Sequence, residues 1–126
     1  MNSRNLLRTA VPAVLLATAV LAPQPAPASA RPRLGDCAAG QLCLWERADF
    51  KGARRTFELS GTDIESCVVL PTGTTAQAVA NRTGRPVTTY QSEECADTGE
   101  FDTYPGGGTW LPRSPYQVRA FKIWEN

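Results

Sequence analysis

The chain predicts a small all-β sandwich with two disulfides, and three observations carry that expectation. Beyond residue 30 no stretch of useful length shows the apolar period of a helix. Short alternating runs recur instead, broken by turn signals about every eight to twelve residues. Four cysteines, Cys37, Cys43, Cys67 and Cys95, all fall in this β-patterned part. An even count in a small exported domain reads as a disulfide framework.

Export is expected from the first residues. Arg4 and Arg8 give a positive start, Ala10 to Ala22 an apolar run, and Ala28-Ser29-Ala30 a small-residue cleavage pattern. The run is short for a bilayer span, and a Pro/Ala-rich stretch follows it. Residues 1–30 are therefore expected to be a signal peptide and 31–36 a frayed, proline-bearing lead-in. Residues 37–126 form one secreted, extracellular domain with no membrane span. The formal charge of +1 falls by two when Arg4 and Arg8 leave, to −1. No basic field for nucleic acid remains, and Arg54-Arg55 reads as a solvated strand face.

The organising stretch is Leu42 to Gly52. Gln41–Glu46 alternates as the first strand, Leu42 and Leu44 on one face, Cys43 and Trp45 on the other. Trp45 and Phe50 bracket a polar turn, and Gly52 behind them fits a backbone needing positive φ. Arg54–Leu59 follows as a second strand and Ser60–Asp63 as a turn. Thr62 or Asp63 can cap a short helical turn over Ile64–Ser66. Val68–Leu70 is a brief apolar run stopped by Pro71.

Ala76–Asn81 and Val87–Gln91 read as strands joined by the Asn81–Pro86 turn, and Asn81-Arg82-Thr83 matches a glycosylation sequon. Glu100–Tyr104 is extended, with Phe101 and Tyr104 available for burial. Pro105–Gly108 reads as a flexible glycine hinge, and Trp110-Leu111 leads into a proline-rich connection. Val118–Trp124, apolar on both sides, closes the chain as a strand buried within the sandwich. Trp45 and Trp124 are expected in the core. Two units with the same outline, Trp45–Asn81 and Tyr90–Trp124, point to internal duplication.

Four cysteines admit three pairings. Cys37–Cys43 is favoured as a local clip on the first strand, and Cys67–Cys95 as a link between the halves. On the chain-entropy model the longer loop is worth roughly 3–4 kcal/mol and the shorter one less. Structural zinc is a poor alternative without histidine or a C-x-x-C pair.

Trp45, Phe50 and Gly52 fit an aromatic-x4-aromatic-x-Gly pattern. With Cys37-x5-Cys43-Leu44-Trp45, Ala78–Thr83, Tyr90, Cys95 and Val118-x-Ala120, they make nearly all of the mature chain resemble the small exported bacterial proteins of βγ-crystallin type. These are grouped with a metalloproteinase inhibitor as a peptidase inhibitor family. The resemblance implies a two-unit Greek-key sandwich and a secreted, monomeric inhibitor whose partner is an extracellular protease, with metalloproteases as a target class. Two departures stand out. Gly73–Ala78 and Arg113–Gln117 occupy the places where many βγ-crystallin domains bind calcium, yet neither holds a carboxylate, so no cofactor is expected and calcium is disfavoured. The second unit has Cys95 where the pattern wants an aromatic.

The absence of histidine removes the common Ser-His-Asp and Cys-His arrangements, and an enzyme is not expected. The acidic residues Glu93, Glu94, Asp97, Glu100 and Asp102 read as a solvated cluster before a glycosidase pair. An inhibitor holds a loop in extended form so that docking costs little entropy. Two loops are candidates: Glu93–Thr98, offering Glu93, Glu94, Ala96 and Asp97, and Tyr104–Trp110, offering Tyr104 and Gly107. The alternative is a non-enzymatic envelope-binding, structural or toxin-like module, stacking sugars on Tyr104, Trp110 and Tyr116.

Overall fold

Eight strands form two antiparallel sheets in the computed structural model, which describes residues 34–126. The expected signal peptide and cleavage site lie outside the described residues. The strands are β1 (Gln41–Arg47), β2 (Lys51–Glu58), β3 (Val68–Val69), β4 (Ala78–Asn81), β5 (Val87–Tyr90), β6 (Phe101–Tyr104), β7 (Thr109–Leu111) and β8 (Ala120–Ile123). The first sheet runs β2-β1-β4-β7 and the second β3-β8-β5-β6. Advancing every strand of the first order by four gives β6-β5-β8-β3, which is the second sheet read backwards. The molecule is therefore two Greek-key halves that exchange their third strands.

Register repeats the same rule. Leu42 opposes Asn81 and Trp45 opposes Ala78 across β1 and β4. Val87 opposes Ile123 and Tyr90 opposes Ala120 across β5 and β8. The internal duplication expected from the outline is thus present strand by strand.

Period-two alternation decides the faces. Leu42 and Leu44 turn inward to meet Val79, Val87, Val118, Phe121 and Ile123 in the core between the sheets. Phe57 on β2 meets Phe121 on β8 edge to face, with ring centroids 4.8 Å apart, which ties one sheet to the other. Cys43 and Trp45 turn outward, as the alternation predicts, and form a second cluster with Cys37, Ala78, Ala80, Phe50 and Trp110. The alanines of β4 are small because Cys43 and Trp110 flank Ala80 and Trp45 lies beside Ala78. Trp45 is 4% exposed, yet it closes the outer face and is not part of the inter-sheet core.

Both expected disulfides are present, Cys37–Cys43 and Cys67–Cys95. The end of the lead-in is fixed and not frayed. Trp110 Nε1 donates to the Gly35 carbonyl at 2.9 Å, Arg82 donates to Cys37 O at 2.9 Å, and Arg54 to Asp36 O at 2.5 Å. A Cβ on Gly35 would lie 2.4 Å from the Trp45 ring, so only glycine lets the chain cross there.

Several expectations change. The short helical turn lies at Leu59–Gly61 as a 3-10 turn, while Ile64–Ser66 is non-helical with Glu65 at φ +60°. Thr109–Leu111, read from sequence as part of a connection, is β7 and completes the first sheet by pairing with β4. Phe101, expected to be buried, is 47% exposed because β6 is an edge strand and its ring stands on the outer face. Trp124 is half-buried and donates from Nε1 to Thr88 Oγ1 at 2.7 Å.

Candidate functional site

The acidic loop joins β5 to β6. Its base is closed by Gln91 N–H donating to Glu100 O at 2.9 Å and by Glu100 N–H donating to Gln91 Oε1 at 3.2 Å. Arg119 donates to Gln91 O at 3.2 Å and anchors that base to the segment entering β8. Ser92 starts a tight turn, its hydroxyl accepting from Glu94 N–H at 3.0 Å and its carbonyl from Cys95 N–H at 3.3 Å. Cys95 takes φ +54° and is bonded to Cys67, just ahead of β3. The loop is thus fixed at base and middle, while Glu93, Glu94 and Asp97 are exposed and Ala96 is half-buried. Tyr90 lies beneath, its ring stacked on Phe101 at 6.0 Å. Burial raises the Tyr90 phenol pKa, the Asp97 charge adds to the rise, and the Thr88 hydrogen bond opposes it.

The glycine loop between β6 and β7 is not the flexible hinge its composition predicts. Asn81 holds it. The Asn81 side chain is fully buried, and its amide donates to Arg85 O, Tyr104 O and Pro105 O at 2.9, 3.2 and 3.1 Å. Its oxygen accepts from the Thr83 N–H and hydroxyl at 3.1 and 2.7 Å. Gly106 presses on the neighbouring turn so closely that a Cβ would stand 2.2 Å from Arg85 N. Only the tip at Gly107 is open. The sequon reading of Asn81 fails for the folded chain, since its amide is enclosed and bonded. An Asx-type turn ahead of Thr83-Gly84 was the sequence signal for this role.

The register separates the two candidate loops. Tyr90 opposes Phe101 at the acidic-loop end of the β5–β6 ribbon, and Val87 opposes Tyr104 at the glycine-loop end. Glu93, Glu94, Ala96 and Asp97 therefore sit at one end, Tyr104 and Gly107 at the other. They do not form one surface.

Of the sugar-stacking set, Tyr116 is enclosed. Tyr116 is 8% exposed and donates to Thr89 O at 3.1 Å. Burial raises its phenol pKa strongly, against the hydrogen bond to Thr89. Tyr104 and Trp110 are half-buried, and the Arg82 guanidinium lies 5.5 Å from the Trp110 ring centre. At the places compared with calcium sites, the Thr75 hydroxyl donates to Gln117 Oε1, joining the two connections to each other. Among the described residues no group of three or more His, Cys, Asp or Glu side chains is placed to hold a metal. A groove of about 560 Å³ runs between the lead-in and the first hairpin, lined by Asp36, Trp45, Asp49, Phe50, Lys51 and Arg54 among others.

The model of peptidase inhibitor family I36 matches residues 30–103, more than half of the chain. The match includes the disulfides, the first hairpin and the acidic loop, and it stops before the glycine loop. No curated protein and no solved structure matches the chain. A peptidase inhibitor family implies a protease as partner, and two disulfides with this family fit an extracellular setting. On this match the chain belongs to peptidase inhibitor family I36, which implies a non-enzymatic inhibitor.

Proposed function

We propose that the protein is a secreted, monomeric inhibitor of a metalloprotease and seats the Glu93–Thr98 loop in the protease cleft. The observation that carries this reading is the Cys67–Cys95 bond, which fixes the middle of an exposed loop whose base is already paired. A loop held this way loses little conformational freedom on docking. Its exposed carboxylates suit a metalloprotease, because Asp and Glu oxygens are ordinary ligands of catalytic zinc, which keeps an open position. The Tyr104–Trp110 loop is the weaker choice. It is rigid, but its open tip is glycine and offers no side chain to a specificity pocket.

The test is a titration of the mature domain against thermolysin, subtilisin, trypsin and papain. Stoichiometric inhibition of thermolysin alone supports the metalloprotease reading. Inhibition confined to a serine or cysteine protease replaces the target class, and inhibition of none removes the docking mechanism.

A further inference from the structure

The free edges of the two sheets differ. β2 borders the first sheet with Lys51, Arg54 and Arg55, charges that discourage strand addition. β7 and β3 are edges of three and two residues. β6 borders the second sheet with Phe101-Asp102-Thr103-Tyr104, free of lysine, arginine and proline. The bond from Gln91 N–H to Glu100 O sets the phase of this strand. Glu100, Asp102 and Tyr104 turn their main-chain groups toward β5, and Phe101 and Thr103 turn theirs to the open side. The close contact of the Thr88 and Thr103 hydroxyls, 2.6 Å apart, agrees with that phase, since side chains approach most nearly at the non-hydrogen-bonded pairs. On the outer face beside this edge Val69, Ala120, Tyr90 and Phe101 form one apolar cross-strand row. Lys122, Thr88 and Thr103 form a polar row next to it, with the single cation two strands in from the edge.

Charge selects the occupant. Glu93, Glu94, Asp97, Glu100 and Asp102 fall within residues 93–102, an interval without lysine or arginine. A second copy pairing along β6 would set this acidic segment against itself, and like charges across a pair are unfavourable. We propose that β6 is a docking edge that takes an extended, cationic segment of the target protease as a fifth strand of the second sheet. Main-chain bonds from Phe101 and Thr103 supply the pairing, and the Phe101 ring supplies apolar contact to alternate side chains. That the segment is the protease's rests on the inhibitor reading above; the edge itself does not.

The experiment uses a ten-residue peptide of alternating lysine and valine, its glutamate counterpart, and amide hydrogen exchange of the mature domain. The lysine peptide should slow exchange at Phe101 and Thr103 at least tenfold, an effect that fades with added salt, while the glutamate peptide does nothing. Thr103→Pro should abolish the effect, because its N–H points away from β5 and edge strands accept proline. Phe101→Ser, with the ring on an exposed face, gives the comparison if Thr103→Pro loses its native melting transition. Unchanged exchange at Phe101 and Thr103, or equal protection by both peptides, overturns the docking edge. With a protease that the domain inhibits, Thr103→Pro should weaken inhibition at least tenfold, and undiminished inhibition likewise overturns it. Failure to inhibit any protease overturns the inhibitor reading instead.

Discussion

Phe50 and Cys95 occupy the same place in the two halves of the molecule. Each stands five residues past the outward aromatic of its first strand, Trp45 or Tyr90, and each has left-handed backbone, φ +59° and +54°. Phe50 folds back on Trp45 edge to face, with centroids 5.0 Å apart. Cys95 folds back to a disulfide with Cys67. One hairpin is latched by aromatic contact and the other by a covalent bond. The eroded signature of the second half is thus a substitution of latch, with the backbone turn retained.

The two latches should differ in strength in a measurable way. Phe50→Ala removes one half-buried ring and is expected to destabilise by about 2 kcal/mol. Replacing Cys67 and Cys95 together by alanine frees a long loop in the unfolded chain and should cost about 3–4 kcal/mol. Urea denaturation of the two variants checks the order. A larger loss from Phe50→Ala would contradict it.

Asn81 is expected to be the polar residue least tolerant of change. Asn81→Ala strands the Tyr104 and Pro105 carbonyls and the Thr83 donors in a buried site. A loss of about 2–4 kcal/mol is expected, since each unsatisfied buried group costs about 1–3 kcal/mol and part is recovered by relaxation. Chemical denaturation measures it, with faster amide exchange at Thr109 as the local sign.

Two neighbouring glycines should respond oppositely. Gly106→Ala places a methyl group against the backbone of Gly84 and Arg85 and should destabilise by about 2–3 kcal/mol. Gly107→Ala meets open space and should stay within about 0.5 kcal/mol of the parent. Equal melting temperatures for both variants would show that the loop yields.

Stability should fall in alkali. Burial raises the phenol pKa values of Tyr90, Tyr104 and Tyr116 above the ordinary 10.0. Below that value both folded and unfolded phenols are protonated and the stability is complete. Above it the unfolded chain releases protons that the folded chain retains, so unfolding becomes more favourable with each further step in pH. Denaturation midpoints from pH 8 to pH 11 should stay level and then drop. Tyr116→Phe should lower the plateau by about 1 kcal/mol through the lost Thr89 bond and make the drop shallower.

Much of the fold was legible because it is written in local alternation. Leu42 and Leu44 against Cys43 and Trp45 gave the first strand its inner and outer faces, and both disulfides joined the pairs favoured from their positions. What escaped depends on long-range pairing. Thr109–Leu111 is three residues between a glycine turn and a proline, and only β4 beside it makes it a strand. Phe101 looks like a core residue until the sheet order places it at an edge. The site was half legible. Both candidate loops exist, but their separation at opposite ends of β5–β6 follows from register, which no single segment encodes.

The most direct test is the inhibition constant of the domain with and without the Cys67–Cys95 bond, against whichever protease the intact domain inhibits. The variant carries Cys67→Ser and Cys95→Ser, and near-ultraviolet circular dichroism confirms that its aromatic packing survives below the melting transition. A rise of at least a hundredfold in the constant, with the fold intact, is the predicted result. Equal inhibition by a folded variant would contradict the claim that this clamped acidic loop is what the protease meets.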